Sequence, residues 1–150
     1  MKHWLLYFNL FFFIVLILIF LAPLLAGKFP KLSAIIYIIF SPTCHQLARK
    51  SFFIAGHKLA VCSRCLGIYT GALITGLFYA LFRRSVNGIS AVAFILFLLP
   101  AAIDGSLQAF TVYESMNIIR FITGGLVGIG FAMFVYPALD RYPYPVGSWE

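Results

Sequence analysis

The sequence predicts an all-α, polytopic membrane protein with about four transmembrane helices and a re-entrant or interfacial segment before the second. Three observations carry this reading. The 150 residues are 63% hydrophobic and only 10% charged, with a mean hydropathy of +1.01. That is more apolar surface than a soluble domain of this size can hide, so lipid must take part of it. Four segments approach the roughly 20 residues needed to cross a bilayer. The few ionisable residues within or beside those runs cost several kcal/mol each, on the order of 3 for Asp or Arg on insertion scales, and so seldom sit there without a role. The whole chain, 1–150, reads as one membrane domain, with no length left for a separate soluble one.

The first span is Trp4–Leu25, interrupted late by Pro23. Its apolar run is longer than the roughly 7–15 residues of a signal-peptide core, so a retained anchor is expected. The second span runs 65–82 and ends at Arg83-Arg84; the third runs 89–109 and must include Asp104 to reach spanning length. The fourth is Ile118–Tyr136, expected to stop at Pro137 before a Pro- and Tyr-rich tail. Between the first two spans lies a long connection with a short apolar piece, Leu32–Phe40, ending at Ser41-Pro42. It is too short to span, which makes it re-entrant or interfacial. Gly67-x3-Gly71 and Gly124-x3-Gly128 put small residues one turn apart on two spans. Such faces let backbones approach closely in lipid, and they predict helix packing, including a homo-oligomer seam.

The net charge of +7 implies contact with anionic headgroups and topogenic loops. No basic stripe interleaved with aromatics is present, so no nucleic-acid partner is expected. With four spans, Arg83-Arg84 and both termini share one side, and Lys28, Lys31, Lys50 and Lys58 share the other with the Asp104–Arg120 turn. The compact arginine pair in a short loop is the cleaner signal and places the termini in the cytoplasm.

Two groups of residues carry candidate chemistry. Cys62-x2-Cys65 brings two sulfurs within reach of one ion or of a disulfide; Cys44 supplies a third ligand, and His45 or His57 a fourth. Three thiolates and one imidazole form a tetrahedral zinc set. Two rival readings are thiol–disulfide exchange at Cys62 and Cys65, and plain burial of small side chains. In the second group, Asp104 and Gln108 share one helical face, and Glu114, Asn117 and Arg120 follow at spacings of three. The two faces flank one short connection and are expected to meet. Asp104 and Glu114 are the candidate catalytic or proton-carrying acids; Arg64, Gln108, Asn117 and Arg120 are candidate substrate contacts. The plainer alternative is an Asp104–Arg120 pair that fixes helix register. A fragmentary likeness to lipid phosphatases, in Ala55-Gly56-His57 and Ser63-Arg64, fails because Ala55 replaces the serine and Thr70 stands where a histidine is required.

Cys44-His45-Gln46, Ser51-Phe52, Cys62-Ser63-Arg64-Cys65-Leu66-Gly67-Ile68-Tyr69, Asp104-Gly105-x2-Gln108 and Glu114-Ser115-x-Asn117-x2-Arg120-x2-Thr123-Gly124 together resemble a family of small prokaryotic integral membrane proteins classed as a domain of unknown function. The resemblance covers about residues 42–130. It departs at Ala48-Arg49-Lys50, where the family commonly has Pro-Glu-Arg. It implies one composite site of cysteine, histidine and intramembrane polar residues in a prokaryotic inner or plasma membrane, and it carries no established activity. The expectation is a zinc clip of Cys44, His45, Cys62 and Cys65 beside a polar vestibule for a polar or anionic membrane-associated substrate. A proton-coupled carrier and an assembly subunit are the further alternatives.

Overall fold

A computed structural model describes residues 3–82 and 88–141. Five α-helices dominate: α1 (His3–Leu25), α2 (Pro30–Phe40), α3 (Ser63–Phe82), α4 (Ala91–Phe110) and α5 (Asn117–Arg141). All but α2 are long and apolar enough to cross a membrane, so the four-span architecture holds. Arg83-Arg84, on which the expected orientation rests, lies outside the described residues, as does the tail from residue 142.

The helix ends differ from expectation where local chemistry overrides composition. The second span begins earlier, at Ser63, because the carbonyl of Cys62 already accepts the first intrahelical bond, from Leu66. The third begins later, at Ala91, where the Ser90 hydroxyl caps the backbone N–H of Ala93 at 3.2 Å. The fourth does not stop at Pro137 but continues to Arg141. A proline removes one donor and breaks a helix only when the freed carbonyl cannot be accommodated, a condition often relaxed among packed membrane helices. In α1 the helix likewise passes through Pro23 and ends two residues later.

α3 and α5 form the centre. A Cβ on Gly67 would lie 2.8 Å from the backbone nitrogen of Gly125, and one on Gly128 would lie 2.8 Å from that of Ala72. The glycine faces are therefore occupied within one chain, and a second copy would have to be met on another surface. α1 packs on α3, where the Asn9 amide donates to the Gly76 carbonyl at 3.2 Å, and reaches α5 through Trp4 and Phe8 against Tyr136. α4 packs on α5, with Phe94 stacked on Phe134 at 5.0 Å. The buried residue of α4 is Asp104, while Val92, Ile95, Leu96, Leu99, Ile103 and Leu107 face outward. A helix with apolar side chains outside and its acid inside is built for lipid, not for water.

α2 is eleven residues long and buries Ser33, Ile36 and Phe40 at spacings of three and four, one face of a helix. That face lies on α1, where the Ser33 hydroxyl donates to the Ala22 carbonyl at 2.8 Å. The rest of the connection is more ordered than its composition implied. It holds a two-residue hairpin, β1 (Phe53–Ile54) with β2 (His57–Lys58), closed by Ala55-Gly56. Both turn residues have positive φ, 51° and 80°, as the tightest hairpin turns require. Leu59, Ala60 and Val61 follow, at most 1% exposed, and join Ile19, Ile36, Phe40 and Leu66 in a core that fastens the connection onto the bundle.

This packing yields a discriminating pair of substitutions. A Cβ on Gly124 would press into the Arg64 backbone, with the Arg64 carbonyl carbon at 2.9 Å; one on Gly105 would meet only the Arg64 guanidinium, at 3.4 Å. Gly124→Ala should lower stability in detergent by about 1–3 kcal/mol, the usual range for overpacking. Gly105→Ala should cost well under that, because a side-chain end can move. Thermal unfolding of both variants tests the ordering.

Candidate metal and polar site

The chain gathers its cysteines at the head of α3. Cys44 lies on the turn that follows α2, where its N–H donates to the Phe40 carbonyl at 3.0 Å. Cys62 immediately precedes α3, and Cys65 lies in its first turn. Cys44 and Cys62 are buried, Cys65 is half-buried, and all three are free thiols. The backbone N–H of Cys62 donates to the Cys44 sulfur at 3.1 Å. Hydrogen bonds from the Cys62 and Cys65 thiols, with backbone N–H groups of Cys62 and Gln46, hold the Cys44 thiol far below the ordinary range. Cys62 is pushed up, first by its hydrogen bond to Cys44. The Cys44 sulfur thus faces the positive end of a 20-residue helix, a setting that favours its thiolate form.

His45 completes the group. Its ring and the sulfurs of Cys44 and Cys62 present ligand atoms within 4.8 Å of one another. The edge of a tetrahedron around zinc with thiolate ligands is about 3.8 Å, given bonds near 2.3 Å. Small side-chain movements would bring these three donors onto one ion, and their chemistry fits zinc; Cys65, the fourth expected ligand, lies outside this group. His45 is exposed, and its Nδ1 accepts a weak 3.3 Å bond from the Leu47 N–H, which ligation would displace at little cost. His57, the other histidine considered as a ligand, lies exposed on β2.

The polar residues of α4 and α5 do meet. The Asp104 carboxylate, 8% exposed, forms an ion pair with Arg64. Gln108 donates to the same oxygen at 2.7 Å and to the Ser115 hydroxyl at 2.8 Å. Its carbonyl accepts from Arg120 at 2.8 Å, and Arg120 Nε donates to Ser115 at 3.0 Å. Asn117 accepts weakly from Arg120 and donates to the Ser51 carbonyl at 3.2 Å. This last bond ties α5 to the connection. The plain Asp104–Arg120 pair therefore does not form: Arg64 reaches Asp104 from α3, and Gln108 stands between the acid and Arg120.

Glu114 is placed differently from the other candidates. It is not on a helix, because α4 ends at Phe110 and α5 begins at Asn117. Its carboxylate pairs with Arg49 at 2.6 Å, with both side chains more than half exposed. It lines a neighbouring cavity with Arg49, Lys50 and Gln108 rather than the buried cluster. An exposed pair of this kind contributes about 0–1 kcal/mol, enough to dock the 111–116 loop lightly on the connection.

A cavity of about 220 Å³ joins the two groups, lined by Cys44, Cys62 and Cys65 on one side and Arg64, Gln108 and Arg120 on the other. Thr43, His45 and Lys50 complete its polar wall. Sequence reasoning missed Ser115, the buried hub between Gln108 and Arg120, and Ser51, 1% exposed, whose carbonyl takes Asn117. Both stand inside the motifs quoted above, and that adjacency was the available signal.

Removing Arg64 would leave Asp104 buried against Gln108 alone. Arg64→Leu should destabilise the fold by about 3 kcal/mol, as breaking a buried pair does. Arg64→Leu combined with Asp104→Leu should recover much of that loss. A double-mutant cycle of unfolding free energies in detergent measures the coupling, and simple additivity would contradict a direct pair.

The comparisons with known proteins agree with this architecture. Residues 44–134 match the family described as "Predicted membrane protein (DUF2085)". An uncharacterised protein of Methanocaldococcus jannaschii is 38% identical over 141 residues, covering 89% of this chain and 90% of the relative. An uncharacterised protein of Methanothermobacter thermautotrophicus is 38% identical over 90 residues, 60% of this chain and 81% of the relative. No solved structure matches. The matched segment starts at Cys44 and takes in α3, α4 and most of α5, the elements that build the site; the chain belongs to the DUF2085 family of predicted membrane proteins.

Proposed function

We propose that this protein is a membrane-embedded zinc protein whose metal clips the connection between α1 and α3 over a polar, substrate-binding cavity. Cys44, His45, Cys62 and Cys65 would hold the ion. The observation that carries the reading is the convergence of two sulfurs, Cys44 and Cys62, and the His45 imidazole from two segments eighteen residues apart, with the Cys65 thiol hydrogen-bonded to Cys44 beside them. Exchange at a Cys62–Cys65 pair uses only two sulfurs and leaves Cys44 and His45 without a task.

Bound zinc would be structural with four protein ligands, or with three would offer a position for water or substrate. Arg64, Gln108 and Arg120 face the same cavity and are suited to hold a polar or anionic group of a membrane-associated substrate. Asp104 is engaged by Arg64 and Gln108, an arrangement that favours orienting Arg64 over carrying protons. Glu114, exposed and paired with Arg49, is better suited to docking its loop. The apolar exteriors of the four long helices suit a multi-pass protein surrounded by lipid; a prokaryotic plasma membrane with cytoplasmic termini is the setting we favour.

Metal content tests the proposal. Detergent-purified protein should contain about one zinc per chain by mass spectrometry, and Cys62→Ser/Cys65→Ser should lose it. Protein without metal, with Cys62 and Cys65 joined as a disulfide, would overturn the clip and favour thiol exchange.

A further inference from the structure

We infer that the cavity between the cysteine cluster and Arg120 is a binding site for a phosphate-type oxyanion, carried either on a lipid headgroup or as free phosphate. The inference rests on the proposal that this cavity is the working site and specifies what would enter it. Three cationic side chains, Lys50, Arg64 and Arg120, line the space. Among the described residues, the carboxylate paired with any of them is Asp104, on Arg64. Arg120 is 3% exposed, yet its partners are Ser115, Asn117 and Gln108, all neutral. Among the described residues, no carboxylate lies within ion-pairing distance of it.

A buried guanidinium normally has a counter-ion, because neutral hydrogen bonds replace only part of its lost hydration. The Nε of Arg64 is also buried without a hydrogen-bond partner among the described residues. Zinc would not balance these charges, since an ion with three thiolates and an imidazole carries a single negative charge and the cations outnumber Asp104 by two. The cavity thus retains positive charge and unused donors, with the Thr43 hydroxyl on the same wall.

Size and donor type narrow the ligand. About 220 Å³ accommodates a phosphate group with a few waters, each needing about 30 Å³, and is smaller than the roughly 300–1,000 Å³ typical of drug-sized ligands. A phosphate offers several acceptor oxygens to separated donors, and guanidinium groups match its geometry. Arg64 stands at the first turn of α3, and Asp104 and Gln108 in the last two turns of α4. The cavity therefore lies towards one end of the bundle, where a headgroup can enter while its acyl chains stay among the exposed apolar side chains.

The test uses the full chain in nanodiscs. In phosphatidylcholine discs, retention of radiolabelled inorganic phosphate is measured by equilibrium dialysis. In mixed discs containing phosphatidic acid, enrichment of that lipid around the protein is measured by mass spectrometry. Saturable phosphate retention identifies a free oxyanion site, and enrichment of phosphatidic acid alone identifies a headgroup site; either supports the inference. Lys50→Gln removes one charge without exposing a carboxylate and should weaken binding about tenfold, with a shallower salt dependence. Arg120→Gln should abolish it. No retention and no enrichment, or binding unchanged in correctly folded Lys50→Gln, overturns the inference. Zinc content is read on the same samples. Metal present without anion binding defeats only this inference, whereas anion binding without metal defeats only the clip.

Discussion

The close approach of α3 and α5 is the constraint on which the rest of this structure depends. With no water to exclude between helices in lipid, association rests on how near two backbones can come. Here Gly67, Gly71, Gly124 and Gly128 remove the side chains that would keep them apart. The same contact positions the chemistry. Gly124 lies against the backbone of Arg64, and Gly105 leaves room for its guanidinium. Arg64 is thereby threaded between α5 and α4 to reach Asp104. Packing and site are thus one arrangement: the glycines beside the polar residues are the space those residues occupy.

Around this contact, charge is distributed by depth and exposure. Arg49 and Glu114 are exposed, and their pairing is a weak tether. Asp104, Gln108, Ser115 and Arg120 are drawn into a shielded network, where each partner matters more because the alternative is an unsatisfied group in a low-dielectric setting. The cysteine cluster forms the third layer. Its sulfurs face the arginines across one cavity.

The sequence disclosed the spans because twenty apolar residues in a row have few other uses, and it disclosed Asp104 and Gln108 because a polar residue on such a span stands out. It disclosed the cysteine–histidine group through spacing alone. It did not disclose that Arg64 would claim Asp104. Helical periodicity relates residues of one element, and this pair joins positions forty residues apart. Nor did it locate Glu114 correctly: the regular spacing of 114, 117 and 120 suggested one helical face, whereas the chain is unwound until Asn117. The hairpin was hidden for a similar reason, since two-residue strands are too short for any alternation and Ala55-Gly56 is a weak turn signal compared with Asn-Gly. Ser51 and Ser115 escaped because a serine becomes informative only when its burial and partners are known.

The forty-residue separation of Arg64 and Asp104 also has a consequence for biogenesis. As the chain emerges from the ribosome, α3 is complete before its counter-charge in α4 has been made, and Arg120 follows later still. Until α4 arrives, Arg64 must keep its guanidinium in the headgroup region, which its place in the first turn of α3 permits. The polar interior is therefore assembled from spans that enter lipid one after another. The arrival of α4 brings Asp104 to the guanidinium, and α5 then fits Gly124 over the Arg64 backbone.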